Sequence, residues 1–151
     1  MKQFTGSCQC GAVTYRMARP VAAWVCHCLD CQRMTASAYS FSMATPRATF
    51  HWTKGEPRTF TKTGDNGRAS EQHFCADCGS WLATTSPAAP DAMIVRVGTL
   101  DDHAWIKPVS QAWASSALPW ALLPGVPAID RDATPEQAQK AMVAWQAAHP
   151  A

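Results

Sequence analysis

The stretch Val25–Arg33 reads V-C-H-C-L-D-C-Q-R and puts three cysteines, Cys26, Cys28 and Cys31, within six residues. Two more groups bracket it: Cys8-Gln9-Cys10 near the N-terminus and Cys75-Ala76-Asp77-Cys78-Gly79 in the second half. All seven cysteines of the 151-residue chain fall into these three groups. Packing alone does not concentrate cysteine in this way, and an odd number in a reducing compartment favours metal over disulfides.

Each group has the geometry of a chelating turn. In C-x-x-C the intervening turn points both sulfurs one way, and Gly79 after Cys78 permits a backbone whose amides face the sulfurs and offset their charge. Cys8 and Cys10 lie between Gly6 and Gly11, which suits a tight turn aiming two sulfurs at one ion. Structural zinc takes four ligands in a closed tetrahedron, so two such pairs make one site. The remaining three sulfurs have the pattern of a reactive site with an open fourth position. Spacing leaves other partitions open: Cys26 and Cys28 could pair with Cys75 and Cys78, and His27 or His73 could be a ligand. Three free thiols beside one structural zinc is the bland alternative. Thioredoxin-like chemistry is disfavoured, because neither C-x-x-C is expected at the head of a helix in a βαβ pattern.

Working outward, the flanks read as short strands with turns between them: 12–15, 22–25, 38–43, 48–52, 58–63, 68–74, 80–85 and 93–97. The 38–43 run alternates A-Y-S-F-S-M, placing small polar residues on one face, and Gly64-Asp65-Asn66-Gly67 closes a hairpin. Thr99–Asp102 reads as a turn rather than an acidic catalytic pair. The tail differs. Thr134-Pro135-Glu136-Gln137 is a helix start with a capping box, and Ala138, Ala141, Met142, Trp145 and Ala148 follow at helical spacing. The expectation is a mainly β, mostly antiparallel domain over residues 1–132 with a packed C-terminal helix over 133–151, the helix itself from about Pro135 to Ala148. Trp24, Trp52, Trp81, Trp105, Trp113 and Trp120 are expected in the core and at its edges.

Composition limits the function classes. Charged residues are 16% and the net charge is +2, so there is no basic stripe for nucleic acid or a membrane surface. The N-terminal segment has no apolar run of the signal-peptide kind, and the apolar stretch 112–129 is broken by Pro119, Pro124 and Pro127. A cytoplasmic protein is expected, of unspecified oligomeric state.

The motif order G-S-C-Q-C-G-A-V (6–13), C-H-C-L-D-C-Q-R (26–33) and F-C-A-D-C-G-S (74–80), with V-G-T-L-D-D (97–102) and L-P-W (118–120) downstream, resembles the glutathione-dependent formaldehyde-activating family, which includes the centromere protein V-like zinc domain. The resemblance spans roughly residues 4–130. It implies a zinc-bearing β-tent, an antiparallel β-sandwich shared with Rab accessory factors. It further implies a structural zinc on Cys8, Cys10, Cys75 and Cys78 and a second, catalytic zinc on Cys26, Cys28 and Cys31. The activity implied is carbon–sulfur lyase chemistry, joining a small thiol such as glutathione to an aldehyde or the reverse. The alternative is a non-catalytic, zinc-stabilised module that binds glutathione or a protein partner. Glutathione carries two carboxylates, for which Arg33, Arg68 and Lys62 are the weak candidate cations. His27, between two candidate ligands, is expected to point away from their ion, and His51, His73 and His103 have no distinguishing spacing.

Overall fold

The computed structural model describes residues 2–150, and the chain falls into two compact units. The first comprises the segment up to Pro20 with Ala44–Trp105; the second comprises Val21–Met43 with Ile106 onward. No helix among the described residues is long and apolar enough to cross a membrane.

In the first unit, β1 (Phe4–Ser7), β2 (Thr14–Met17) and β5 (His51–Lys54) form an antiparallel sheet in the order β1-β2-β5. Alternation puts Phe4, Tyr15 and Met17 on the buried face. Tyr15 stacks on Phe50 at 5.2 Å, meets Trp52 edge-on at 6.1 Å, and its hydroxyl lies 2.9 Å from Thr99 Oγ1. β6 (Arg58–Thr63), β7 (Ala69–Phe74), β8 (Trp81–Thr85) and β9 (Ala92–Arg96) follow as an antiparallel meander. Its core is Leu82, Ala83 and Val95, and the expected Gly64–Gly67 turn joins β6 to β7.

The second unit carries β3 (Ala22–Cys26), a short helix α1 (Leu29–Thr35), and the start of β4 (Ser40–Pro46). It also holds β10 (Gln111–Ala112), which pairs with β3 in parallel, and α2 (Pro135–Ala148). The capping box of α2 forms as expected: Gln137 N donates to Thr134 Oγ1 at 3.2 Å and Thr134 N to Gln137 Oε1 at 2.9 Å. The helix packs on β3 through Trp145, which is buried, while Ala138 and Ala148 of the expected stripe are exposed.

The fold is mainly β, with antiparallel ladders and a parallel pair, β10–β3. Several details differ from the sequence reading. Of the strand expected at 48–52, residues 48 and 49 belong instead to a 3-10 turn over Arg47–Thr49 before β5. The strand expected at 93–97 begins at Ala92 and ends at Arg96, because Val97 starts another 3-10 turn. The serine face of β4 is the buried one, with Ser40 and Ser42 inside. Trp120, expected in or beside the core, is 79% exposed, whereas Trp81 and Trp145 are the tryptophans at or below 9%.

Candidate metal centres

The structure sorts the seven cysteines into two clusters, one in each unit. Cys8, Cys10, Cys75 and Cys78 have all their sulfurs within 4.8 Å of one another, and so do Cys26, Cys28 and Cys31. Pairing of Cys26 and Cys28 with Cys75 and Cys78 is therefore not the arrangement adopted, and neither cluster includes a histidine.

The four-cysteine cluster is built from two hairpin turns. Cys8 and Cys10 lie in the turn between β1 and β2, and Cys75 and Cys78 in the turn between β7 and β8. Each turn closes on itself. Cys8 N donates to Val13 O at 3.0 Å and Gly11 N to Cys8 O at 3.1 Å; Cys75 N donates to Ser80 O at 3.0 Å and Gly79 N to Cys75 O at 2.9 Å. Both turns end on a glycine at φ 73°, Gly11 and Gly79, a conformation that side chains resist. Gln9 N donates to Ser80 Oγ at 3.0 Å, tying one turn to the other. A third turn supports the first: Lys54 Nζ donates to Gly11 O at 2.9 Å, and Gly55 (φ 64°) lies so close that a Cβ there would sit 2.2 Å from Ala12 O.

Sulfur spacing tests the fit to an ion. Four sulfurs about 2.3 Å from a tetrahedral zinc lie about 3.8 Å apart. Cys8 and Cys10 sulfurs are 3.6 Å apart and Cys10 and Cys75 sulfurs 3.7 Å apart, close to that spacing, and all four lie within 4.8 Å of one another, so the set suits such an ion. The thiols also hold their protons unequally. The Ser80 hydroxyl, then the Ser80 and Cys10 amides, bring Cys78 down to about 5. At Cys10 the Ala12 amide favours the thiolate, but the neighbouring thiols outweigh it and push the group up to about 12. At Cys8 burial opposes ionisation, yet the Val13 amide (3.3 Å from the sulfur) and the thiols of Cys10 and Cys75 lower it. Four sulfurs this close share protons until a cation replaces them.

The three-cysteine cluster is local. Cys26 ends β3, Cys28 is the N-cap of α1, and Cys31 is in its first turn. Cys31 N donates to Cys28 Sγ at 3.4 Å. The sequence reading had no helix here, and that part is corrected: Cys28-Leu29-Asp30-Cys31 heads one. The helix is seven residues, capped by a cysteine, and stopped by Ala36 in the left-handed region (φ 48°) where glycine would be usual. All three sulfurs are half-buried. The sulfurs of Cys28 and Cys31, then burial, push the Cys26 thiol far up. At Cys28, Cys26 favours the thiolate, but Cys31 and burial prevail and raise it. Three sulfurs with no fourth protein donor among the described residues make a set that could hold a thiophilic ion with one position left over.

His27 does turn away from the sulfurs flanking it. It is wholly buried, with Nε2 3.2 Å from Gln111 Oε1. Of the candidate cations, Arg33 is exposed on the last turn of α1, in the same unit as the three-cysteine cluster. Lys62 (half-buried) and Arg68 (exposed) lie on the β6–β7 hairpin of the first unit. That unit has a cleft of about 290 Å³ lined by Arg47, Glu71, Thr85 and Ser86 among others. Neither Lys62 nor Arg68 lines it. Beneath its edge His73 Nε2 lies 3.0 Å from Thr85 Oγ1 and 3.4 Å from Glu71 Oε1, and burial lowers the imidazole's affinity for a proton. Sequence reasoning passed over Arg47, Glu71 and Gln111, which have no local motif.

Comparison with known proteins agrees with the fold and places the chain. A crystal structure of a Rhodobacter sphaeroides protein, 19% identical, covers 69% of this chain and 91% of its own, with a TM-score of 0.53; the likeness is one of fold. No curated protein matches. The family described as glutathione-dependent formaldehyde-activating enzyme matches residues 3–116, three quarters of the chain and all seven cysteines, and the chain belongs to that family.

Proposed function

We propose that this protein is a zinc-dependent carbon–sulfur lyase of the formaldehyde-activating type, joining glutathione or a related small thiol to an aldehyde, or reversing that step. The observation that carries it is the convergence of three cysteine sulfurs on one short segment, with no fourth ligand among the described residues, in a chain that also gathers a complete four-sulfur set. In this reading Cys8, Cys10, Cys75 and Cys78 hold a structural zinc, and its binding energy is folding energy. Cys26, Cys28 and Cys31 hold a second, catalytic zinc, which when bound supplies the Lewis acidity that keeps a substrate thiol ionised near neutral pH.

The chain's own residues prepare that chemistry. The strand end and helix head bring three sulfurs within 4.8 Å of one another, with no fourth protein ligand in the cluster among the described residues. Half-burial of the three keeps water from surrounding the reacting sulfur. Arg33 is the first candidate to pair with a glutathione carboxylate, with Lys62 and Arg68 as the further candidates. The reaction balances without a redox partner: the substrate thiol gives up its proton, its sulfur bonds to the carbonyl carbon, the C=O π pair moves to oxygen, and that oxygen takes a proton, giving the hemithioacetal, an S-hydroxymethyl adduct when the aldehyde is formaldehyde. A cytoplasmic setting, where thiols stay reduced and glutathione is abundant, suits this assignment.

The test is metal content with turnover. Purified protein is expected to hold about two zinc ions per chain, Cys28→Ala about one, and carbon-13 formaldehyde with glutathione should give the adduct faster with the wild type than with Cys28→Ala. One ion in both proteins and equal rates would overturn the catalytic reading and leave a module that uses zinc for folding alone.

A further inference from the structure

We propose that His27, held by Gln111 and Gln32, is the peg that aims the three-cysteine site, so that all three are positioning residues for it. This rests on the reading of Cys26, Cys28 and Cys31 as a metal site. Successive side chains of an extended chain point to opposite faces. Cys26 ends β3, and Cys28 is still extended (φ −62°, ψ 153°), so burying the residue between them throws both sulfurs to the other side. His27 is 0% exposed and sits edge-on to Tyr39 with ring centroids 5.3 Å apart.

Its partner leaves little freedom. The Gln111 amide is 2% exposed, and its Nε2 donates to Leu123 O at 2.9 Å and Val126 O at 2.8 Å. Those two donations identify the other end as the oxygen, which accepts from Leu123 N at 3.0 Å. The same oxygen then accepts from His27, so the imidazole carries its hydrogen on Nε2, 3.2 Å away. Nδ1 is buried without a hydrogen-bond partner, as expected of a ring placed for orientation rather than for proton transfer.

The main chain of the same residue is held as well. His27 N donates to Ala112 O at 3.0 Å, and His27 O accepts from Gln32 Nε2 at 2.7 Å. Gln32 also donates to Ser116 O at 3.0 Å. One residue between two candidate ligands is thus fixed at ring, amide and carbonyl, by partners drawn from α1 and from 111–116. Partners behind a metal's own ligands set their orientation, and removing one typically costs tenfold to a hundredfold in metal affinity.

Cobalt(II) in place of zinc reads the site directly, because the difference between the wild type and Cys28→Ala isolates the absorption of the three-cysteine site. His27→Leu, of similar bulk but without a donor, should weaken cobalt binding there at least tenfold in competition with a chelator and shift its d–d bands. His27→Gln, which can still donate to Gln111, should restore most of both. Should His27→Leu fail to fold, Gln32→Leu, at a half-buried position, is expected to shift the same bands. Unchanged affinity and bands in whichever of these two variants folds would overturn the peg, as would failure of His27→Gln to restore them. If the wild type takes up no more cobalt than Cys28→Ala, the metal-site reading itself fails, and the peg with it.

Discussion

The two cysteine clusters use the same ligand atom in opposite ways. The four-cysteine cluster joins turns 65 residues apart in sequence, Cys10 to Cys75, with two of its sulfurs buried and the turns cross-tied by Gln9 and Ser80. The three-cysteine cluster spans six residues at a strand end and helix head, and none of its sulfurs is buried. An ion held by the first would close a long loop and so contribute to folding; one held by the second would close almost none. On the proposed reading, distance along the chain, more than ligand chemistry, is what separates the structural site from the reactive one.

Removing one ligand from each cluster should break the comparison if it is wrong. Cys75→Ser strands three sulfurs and forfeits an ion whose binding is worth on the order of 10 kcal/mol in small zinc domains, comparable to a whole domain's stability. The expected result is loss of cooperative unfolding, read by circular dichroism against denaturant. Cys28→Ala should leave the unfolding midpoint nearly in place while lowering adduct formation about a hundredfold or more, measured by carbon-13 NMR. Equal destabilisation by the two would erase the distinction.

Acid should sharpen it. Cys26 and Cys28 both bind protons more tightly than a free thiol, so protons compete for them well above pH 5. In the other cluster Cys78 stays ionised down to about pH 5 because Ser80 and nearby amides stabilise its thiolate. Cys10, pushed up to about 12, lets protons compete in this cluster too, but its partners Cys8 and Cys78 are both lowered. Falling pH should therefore release metal from the three-cysteine set first and from the four-cysteine set last. A zinc-responsive dye in an acid titration would show it, and simultaneous or reversed release would contradict it.

The smallest effect concerns the unit that holds the three-cysteine cluster. Thr134→Ala removes the hydroxyl that accepts from Gln137 N and should cost about 1 kcal/mol. Amide exchange should quicken in α2, with protection in β6–β9 unchanged.

What the chain discloses on reading is what is local. Cysteine spacing, the 64–67 turn and the α2 capping box involve neighbours within a few residues, and each appears where expected. Helix α1 was not legible because its signals are absent: a cysteine caps it and an alanine ends it, where serine or threonine and glycine would have marked the ends. β1 was hidden by Gly6, which looks like a turn residue yet sits in a strand because a Cβ there would meet the Tyr15 hydroxyl and Thr99 O. The grouping of cysteines from opposite ends of the chain came from family resemblance, since spacing left several partitions open. Gln111 carries no pattern at all; its importance arises from partners such as His27, 84 residues away.

Gly55 shows how far control of a metal site can lie from its ligands. It bears no sulfur, yet its bare α-carbon is what lets the 54–55 turn rest on the carbonyl of Ala12, two residues past Cys10. Even the smallest added side chain would meet that oxygen and push the first hairpin turn off its seat, moving Cys8 and Cys10 relative to Cys75 and Cys78. The gap between one sulfur pair and the other is thus gauged by a hydrogen atom on a residue outside both.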